Sequence, residues 1–482
     1  MPHWTSRRRF LQDTAFAAAA VSVGTPSFKP LRRVQAANPE TIVIVGAGPA
    51  GLAAAHRLRG SAKRVIVLEA RGEAGGRVRT IRAPFDNGLY GEAGAARISE
   101  AHSFTLGWAN ELGLTITPFA ATNGAALLTV RGKNFTAGDS ESLRAIDLDL
   151  RPDERGLTPG ALLNRYVGDA LADIGALDPS ADAYRSWQAY DGETWPNWLR
   201  GRGASESAVA LMTLGADPMT LSALYVLRQI ALHGGARRYY TVRGGMDRLP
   251  KAIAADLGDS IKYNAAVVAI DHKPNDVTVS YIENGRSAAI SADRVVLAVP
   301  FSTLRRIAVT PRFTPEKMQA IESLAYYPAT RVLLQTRDKF WAKAGMSGAA
   351  RTDTALETWD DSYGQSGAAG ILSGTVGGRM DAALASLDEH TRLEAVKKMM
   401  SQPFPEIATA LDKSAIQRWD EDPWARGAFA SFAPGQMTRF MPIIAHPEGR
   451  VHFAGEHTSP WTGWMEGALR SGERVAQEIL VG

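Results

Sequence analysis

A glycine-rich turn near the start of the chain constrains the fold more than any other segment. The apolar, β-branched run Thr41–Val45 leads into Gly46, Gly48 and Gly51, and residues 52–58 continue with helical spacing. The first glycine permits a tight turn, the second lets the backbone approach a pyrophosphate, and the third lets helix and strand pack closely. Strand, turn and helix in this order predict a Rossmann-type unit that binds a dinucleotide at the helix N-terminus.

A second strand and a second glycine turn extend this prediction. The run Arg64–Leu68 ends directly before Glu69, whose carboxylate is placed to accept hydrogen bonds from both ribose hydroxyls of a dinucleotide. Gly75 and Gly76 then precede Arg77, so that a guanidinium can reach the pyrophosphate. The two turns together predict one nucleotide cradle.

The glycine pair followed by an arginine resembles a segment of the flavin amine oxidase family, which includes monoamine, polyamine and L-amino acid oxidases. The resemblance extends over most of the chain after residue 40, through Arg243–Asp247, Ala265–Ile270, Arg294–Pro300 and Val451–Thr458. It implies an α/β fold of two domains, in which a Rossmann-type FAD domain is joined to a substrate domain of mixed sheet and helices. The cofactor that it implies is FAD rather than an exchangeable nicotinamide.

The same resemblance implies a set of FAD contacts. Val268 would meet the adenine end through its backbone, and Glu456 would bond the ribityl chain. A helix that opens within Pro460–Ala468 would aim its N-terminus at the flavin N1/O2 edge and stabilise reduced flavin, unless it is a solvent-facing helix that only packs on the sheet. The implied contacts are Gly46, Gly48, Pro49, Ala50, Gly51, Glu69, Ala70, Gly76, Arg77, Gly94, Ala95, Ala96, Val268, Glu456, Gly463, Met465, Glu466 and Gly467.

Arg97 is the residue that points to a substrate class. Its segment, Gly91–Ile98, is similar to the part of L-amino acid oxidases in which an arginine pairs with the substrate α-carboxylate. A guanidinium suits that role because its planar fork donates two parallel hydrogen bonds and stays charged at any working pH. The alternative is an arginine that is held by a salt bridge within its own domain or by an FAD phosphate.

Three further residues resemble parts of the family's active site. Trp464 and Phe429 occupy positions similar to the aromatic cage that flanks the substrate amine, and aromatic faces favour an amine-bearing carbon and exclude water. Trp359 is a candidate for a third wall. Arg331 stands where the family has a lysine that contacts flavin N5 through a water molecule. Because arginine keeps its proton, the resemblance leaves open whether O2 or another acceptor reoxidises the flavin.

The reaction implied by the resemblance is the oxidative deamination of L-amino acids, with bulky or aromatic side chains expected. A hydride would pass from the substrate α-carbon to flavin N5, and the imine would hydrolyse to a 2-oxo acid and ammonia, with hydrogen peroxide formed where O2 is the acceptor. Two alternatives stay open: a monoamine or polyamine oxidase in which Arg97 is structural, and a dehydrogenase or electron-carrying flavoprotein with another acceptor. The oligomeric state is also open, with a homodimer as one option.

Residues 1–36 are expected to be an export signal. Arg7, Arg8 and Arg9 precede a mildly apolar stretch that is too short for a membrane span, which looks like a twin-arginine signal with cleavage after Ala36. The twin-arginine translocase is then an expected partner, and the expected location is periplasmic or secreted. The segment holds six of the 54 Lys and Arg residues and one of the 50 Asp and Glu residues, so that 48 basic and 49 acidic residues remain. This balance does not favour a nucleic-acid partner.

The composition narrows the chemistry further. The chain has no cysteine, which excludes disulfides, thiolate metal sites, iron–sulfur clusters and a cysteinyl bond to the flavin. Its nine histidines show no metal-binding spacing, and no metal is expected. The FAD domain is expected to combine residues 38–100, 240–302 and 446–482. Residues 101–239 are expected to form a mainly helical insertion, and residues 303–445 the substrate-binding domain.

Overall fold

The computed structural model describes residues 39–61, 63–119, 124–236 and 238–481. The expected export signal therefore lies outside the described residues. The fold is mixed α/β, as predicted, and its strands form two larger sheets and four smaller ones. Within the described ranges, none of the helices has the length and apolar character needed to cross a membrane.

A five-stranded parallel sheet contains the two strands that flank the glycine turn. Its strands are rich in Val, Ile and Leu and are buried in the interior, which is typical of parallel sheets covered on both faces. The two strands predicted around the glycine turn have the predicted bounds. In spatial order the strands are Ile261–Lys262, Arg64–Leu68, Thr41–Val45, Arg294–Leu297 and Val451–Phe453.

Two helices cross on this sheet at very short range. Pro49–Leu58 begins at the glycine turn, and Met465–Val481 is the C-terminal helix. Gly472 makes the crossing possible, because a Cβ atom there would lie 2.2 Å from the carbonyl oxygen of Ala50. The backbone of one helix thus packs directly against the backbone of the other.

The largest sheet among the described residues has seven strands. Its strand order is Leu411–Arg418, Ala329–Thr336, Gly370–Gly377, Leu356–Asp360, Met346–Thr352, Ala125–Val130 and Lys133–Thr136. The last two strands come from residues 101–239, the stretch expected to be mainly helical, and the sequence analysis did not predict them. They are joined by Arg131 and Gly132, both with positive φ, and an arginine at the first turn position hides the Asn-Gly or Asp-Gly signal of a two-residue hairpin.

The described part of residues 101–239 also contains eight helices. They are Ser103–Glu111, Ser140–Arg144, Pro159–Ile174, Ala181–Ser186, Gln188–Asp191, Trp195–Gly201, Glu206–Met212 and Ala223–His233. The later helices are Arg248–Leu257, Phe301–Leu304, Pro315–Ser323, Phe340–Lys343, Gly378–Leu384, Glu389–Met400, Ile407–Ala410 and Gln436–Phe440, with 3₁₀ turns at Gly258–Ser260 and Glu456–Thr458.

The other strands of the described residues form four smaller sheets. A four-stranded sheet has the order Arg286–Ala292, Val277–Glu283, Ala265–His272 and Ala308–Thr310, and a three-stranded sheet has the order Ile98–Ser99, Tyr239–Val242 and Ile116–Pro118. Two-stranded pairs join Ala325–Tyr327 to Phe429–Ser431 and Thr80–Ile81 to Gly91–Glu92. The domain boundaries proposed from the sequence stay a prediction.

The close helix crossing generates a stability prediction. We expect Gly472→Ala to lower the free energy of unfolding by about 1–3 kcal/mol, because the new methyl group forces the helices apart and this outweighs the better helix propensity of alanine. The control is Gly168→Ala, at an exposed helical position where a Cβ atom meets nothing within 4 Å. Chemical denaturation of both variants checks this, and equal stability of the two would contradict it.

Candidate active site

A cavity of about 1000 Å³ lies between the two larger sheets. One end opens at the carboxyl ends of the strands Thr41–Val45 and Arg64–Leu68, where ligands bind in open α/β sheets. The other end is bounded by the seven-stranded sheet and by the helix Ala223–His233. Its size is at the upper end of the range of roughly 300–1,000 Å³ that is usual for small-molecule sites.

The glycine turn leaves a helix N-terminus open to the cavity. Gly46 adopts a φ of +103°, which favours glycine, and a Cβ atom there would lie 3.0 Å from the carbonyl oxygen of Ala298. Gly48, the residue before the helix, has free space where a Cβ atom would stand, and no side chain caps the helix. The unpaired N–H groups and the helix dipole therefore face space that suits a phosphate.

Glu69 follows the second strand and borders the same space. Its carboxylate accepts hydrogen bonds from the backbone N–H of Ala47 at 2.7 Å and of Arg71 at 2.8 Å. Burial raises its pKa. Because each carboxylate oxygen has two lone pairs, the two oxygens keep acceptor capacity toward a ligand.

Glu456 is the second buried carboxylate of the site. It accepts hydrogen bonds from Arg77 Nη1 at 2.8 Å and from the backbone N–H of Ala430 at 3.0 Å and of Gly463 at 2.8 Å. Burial alone would raise its pKa, but Arg77 and the backbone donors hold it below its ordinary value. The next residue, His457, also lines the cavity, and burial lowers its pKa to about 3.

Most of the residues predicted to contact the cofactor line this cavity, including Val268, which is 39% exposed at its rim. Gly51, Glu466 and Gly467 do not belong to the lining. The two glycines serve close packing, since a Cβ atom at Gly51 would lie 2.0 Å from the oxygen of Gly46 and one at Gly467 would lie 2.2 Å from that of Trp461.

Glu466 has another role than the predicted one. Its carboxylate accepts hydrogen bonds from the backbone N–H of Phe104 and Thr105, at 3.1 and 2.8 Å, and from Arg470 Nε at 2.8 Å. It thus caps the N-terminus of the helix Ser103–Glu111, where a carboxylate satisfies free N–H groups. This correction removes its side chain from the candidate site.

Arg97 lines the cavity and has a carboxylate partner that was not predicted from the sequence. Its Nη2 lies 3.4 Å from Glu357 Oε2, and a third of the Arg97 side chain remains accessible. The same glutamate lies 3.3 Å from Arg351 Nη2. Burial would raise the pKa of Glu357, but the two arginines lower it to about 2, and in return Glu357 raises the pKa of Arg97.

Trp464 is backed by a chain of polar side chains. Its indole Nε1 donates to Gln229 Oε1 at 2.9 Å. The ring of His233 stacks on the indole, with ring centroids 4.2 Å apart. His233 Nε2 lies 2.9 Å from His102 Nε2. The backbone N–H of Ser99 donates to His102 Nδ1, and the backbone carbonyl of Gln229 accepts from His233 Nδ1. Burial lowers the pKa of His102 to about 3 and that of His233 to about 4.

Phe429 lines the cavity and stacks on Tyr327, with ring centroids 5.1 Å apart and planes 12° apart. Burial raises the pKa of Tyr327 to about 12, so its hydroxyl stays protonated. Two flat aromatic faces, Trp464 and Phe429, therefore border the same cavity as Arg97.

Arg331 also lines the cavity, next to the ring of Trp359. Its Nη1 donates to the carbonyl of Glu92 at 2.9 Å, and its guanidinium lies 4.3 Å from the ring centroid of Trp359. Burial lowers its pKa to about 10, which leaves it charged at neutral pH. Trp359, the candidate third wall, borders the cavity as well.

The end of the cavity at the glycine turn fits FAD. The uncapped N-terminus of the helix Pro49–Leu58 suits the pyrophosphate, the carboxylate of Glu69 suits the ribose hydroxyls, and the Arg77–Glu456 pair borders the same space. The sequence model of the family described as "Flavin containing amine oxidoreductase" matches residues 49–480. The chain belongs to the flavin amine oxidase family. FAD is its cofactor, and its chemistry is flavin-dependent amine oxidation.

Relatives and solved structures agree with this assignment. The chain is 31% identical over 460 residues to "Putative L-amino-acid oxidase YobN" of Bacillus subtilis (strain 168), covering 92% of this chain and 95% of that protein. It is 29% identical to the L-amino-acid oxidase of Vipera ammodytes ammodytes, with 92% and 93% covered. Cyclohexylamine oxidase from Brevibacterium oxydans IH-35A matches with a TM-score of 0.78 at 26% identity, with 92% and 98% covered. Putrescine oxidase bound to putrescine matches in fold, with a TM-score of 0.79 at 22% identity over 92% and 99%.

Several residues of this flavoenzyme site escaped the sequence analysis. Gln229 and His233 lie one helical turn apart, and this spacing is their only local signal. Glu357, Thr375 and Tyr327 lie on separate strands and carry no local motif, so only the strand register brings them to the cavity.

Glu69 provides a test of the nucleotide end. We expect Glu69→Ala to raise the dissociation constant of FAD by about tenfold to a hundredfold, since hydrogen bonds to a charged group are worth about 1.5–3 kcal/mol. Titration of the apoprotein with FAD, followed by flavin fluorescence, measures this constant. Glu73→Ala is the control, because Glu73 lies in the following turn with its side chain 57% exposed. Equal FAD affinity in both variants would refute the role of Glu69.

Proposed function

We propose that this flavoenzyme catalyses the oxidative deamination of L-amino acids with bulky apolar or aromatic side chains. The observation that carries the proposal is Arg97, whose guanidinium lines the cavity together with Trp464 and Phe429 and keeps a third of its side chain accessible. The names of the relatives that match over most of the chain support the same substrate class.

The residues of the chain divide the work in the following way. Arg97 binds the substrate carboxylate through charge-assisted hydrogen bonds and so fixes the α-carbon. Trp464 and Phe429 flank the amine and exclude water. When bound, FAD supplies the two-electron acceptor for the hydride of the amine-bearing carbon. The resulting imine hydrolyses to a 2-oxo acid and ammonia.

The lining beyond Arg97 supports a large apolar side chain. Aliphatic and thioether side chains from three helices and a loop border this part of the cavity, and burying them against a substrate is favourable by about 25 cal/mol per Å². They are Leu163, Met212, Leu214, Leu221, Val226 and Ile230.

An amine oxidase is the second candidate function. Glu357 is a partner of Arg97 in this structure, and an arginine that stays paired would be structural. Solved cyclohexylamine and putrescine oxidases share the fold. We rank this candidate second because Arg97 lines the cavity and a third of its side chain remains accessible despite the contact with Glu357.

Three features of the biological setting stay proposals. We propose O2 as the acceptor, and the alternative is a dehydrogenase that passes electrons elsewhere because Arg331 replaces the family's lysine. We also propose export by the twin-arginine translocase to the periplasm or the exterior, on the strength of residues 6–36. A homodimer stays a proposal as well.

Arg97 tests the substrate class. We expect Arg97→Met to raise the dissociation constant of L-phenylalanine about a hundredfold, because two charge-assisted hydrogen bonds are lost. The dissociation constant of 2-phenylethylamine should not rise, because the variant removes a positive charge that repels an ammonium group. Anaerobic mixing, followed by loss of the oxidised-flavin absorbance, measures both. Arg79→Met is the control, since Arg79 is exposed and does not line the cavity. Reduction of the wild-type flavin by amines but not by amino acids would make the protein an amine oxidase.

The pH dependence provides a second test. The substrate amine must be neutral to release a hydride from its carbon, so the rate of flavin reduction should rise with pH through the pKa of the bound amine. The buried histidines cannot produce this rise between roughly pH 5 and 9, because their pKa values lie at about 3 for His102 and His457 and about 4 for His233.

A substrate with a less basic amine distinguishes titration of the substrate from titration of an enzyme group. The midpoint of the rise should move to lower pH when L-phenylalanine is replaced by β,β-difluoro-L-phenylalanine, whose amine is less basic. Stopped-flow measurement of flavin reduction across pH gives both midpoints. An identical midpoint for the two substrates would assign the titration to the enzyme instead.

A further inference from the structure

Four polar residues form a row across the seven-stranded sheet, on the face that borders the cavity. Arg331 is the register partner of Thr375, Thr375 is the partner of Glu357, and Glu357 is the partner of Arg351. Side chains of directly paired residues lie on one face of a sheet. All four line the cavity, and we call them the polar row.

Glu357 is the only carboxylate of the polar row, and cations lie on both sides of it. It lies 3.4 Å from Arg97 Nη2 and 3.3 Å from Arg351 Nη2. Both distances are at the long end for a hydrogen bond, so neither arginine holds the carboxylate tightly. Its pKa of about 2 keeps it charged at any working pH.

The polar row also contains unsatisfied atoms. Thr375 Oγ1 and Arg331 Nε are buried and have no hydrogen-bond partner among the described residues. Buried polar atoms normally have a partner, so the hydrogen bonding of this row is incomplete without a further polar group. The row is thus part of the binding surface rather than only of the sheet.

We propose that Glu357 determines the balance between amino acids and simple amines by competing with the substrate carboxylate for Arg97. The proposal rests on the proposed function, because it takes Arg97 as the carboxylate-binding residue. With a substrate that has no carboxylate, Glu357 neutralises Arg97 and the site tolerates a cationic amine. With an amino acid, the substrate carboxylate takes the accessible side of the guanidinium, and Glu357 shifts its pairing toward Arg351.

Electrostatics gives the two kinds of ligand opposite responses. A fixed negative charge beside Arg97 repels a carboxylate and attracts an ammonium group. Removing that charge must therefore strengthen the binding of carboxylates and weaken the binding of amines. A loss of packing or of folding would weaken both, so the opposite signs distinguish a specificity role from structural damage.

The test uses FAD-loaded enzyme and two ligands that carry one group each. 3-Phenylpropionate has the carboxylate without the amine, and 2-phenylethylamine has the amine without the carboxylate. Anaerobic titration, followed by the change in the flavin absorption spectrum, gives a dissociation constant for the carboxylate. The concentration dependence of flavin reduction gives the constant for the amine.

Two variants of the polar row should move these constants in opposite directions. We expect Glu357→Gln to bind 3-phenylpropionate about tenfold more tightly and 2-phenylethylamine about tenfold more weakly, as for one charge removed from a distance of about 4–6 Å. We expect Arg351→Gln to weaken 3-phenylpropionate by about threefold or more, because Glu357 then pairs with Arg97 alone. FAD content and thermal unfolding check that both variants are folded.

The outcomes separate this inference from the proposed function. If Arg97→Met weakens 3-phenylpropionate binding and Glu357→Gln leaves it within twofold of the wild type, the role of Glu357 is overturned and the function stands. If Arg97→Met has no effect on 3-phenylpropionate, the proposed function fails first, and the inference fails with it. If Glu357→Gln does not retain FAD, Glu357→Ser is measured in its place, and the same opposite changes are expected for the two ligands.

Discussion

The buried carboxylate of Glu456 joins three distant parts of the chain, and the geometry of the site depends on it. Arg77 belongs to the second glycine turn, Ala430 follows one aromatic wall, and Gly463 precedes the other. A buried charge is stable only when it is paired and hydrogen-bonded, so these three partners cannot separate without a large cost in free energy. One carboxylate thereby fixes the nucleotide turn relative to Phe429 and Trp464.

The two ends of the cavity use different physical means. The nucleotide end relies on backbone groups, since glycines permit close approach and the helix Pro49–Leu58 presents unpaired N–H groups to the cavity. The end bounded by the seven-stranded sheet relies on side-chain charge, since Arg97, Arg331, Arg351 and Glu357 all line it. In the proposed function, Arg97 binds the substrate carboxylate while the aromatic faces flank the amine-bearing carbon.

The sequence predicted the parts of the fold whose signals are local. Strands Thr41–Val45 and Arg64–Leu68 were predicted with their observed bounds, because each is a short β-branched run that leads into a glycine turn or an acidic residue. The hairpin at residues 125–136 was missed because its turn is Arg-Gly. The partner of Arg97 was missed for a different reason, since Glu357 is 260 positions away and only strand pairing brings it near. The capping role of the Glu466 carboxylate was not predicted, because a motif does not say which N–H groups a carboxylate will cap.

The hydrogen bonds of His102 and His233, behind Trp464, all run in one direction. The N–H of Ser99 occupies His102 Nδ1, so the proton of His102 lies on Nε2 and is donated to His233 Nε2. His233 therefore carries its proton on Nδ1, where the carbonyl of Gln229 accepts it. Two backbone groups thus select both tautomers, and an extra proton on His233 would set two N–H groups against each other. The indole of Trp464 therefore stacks on an imidazole ring whose hydrogen bonds fix its tautomer and its orientation, and this opposes rotation of the indole out of the cavity wall.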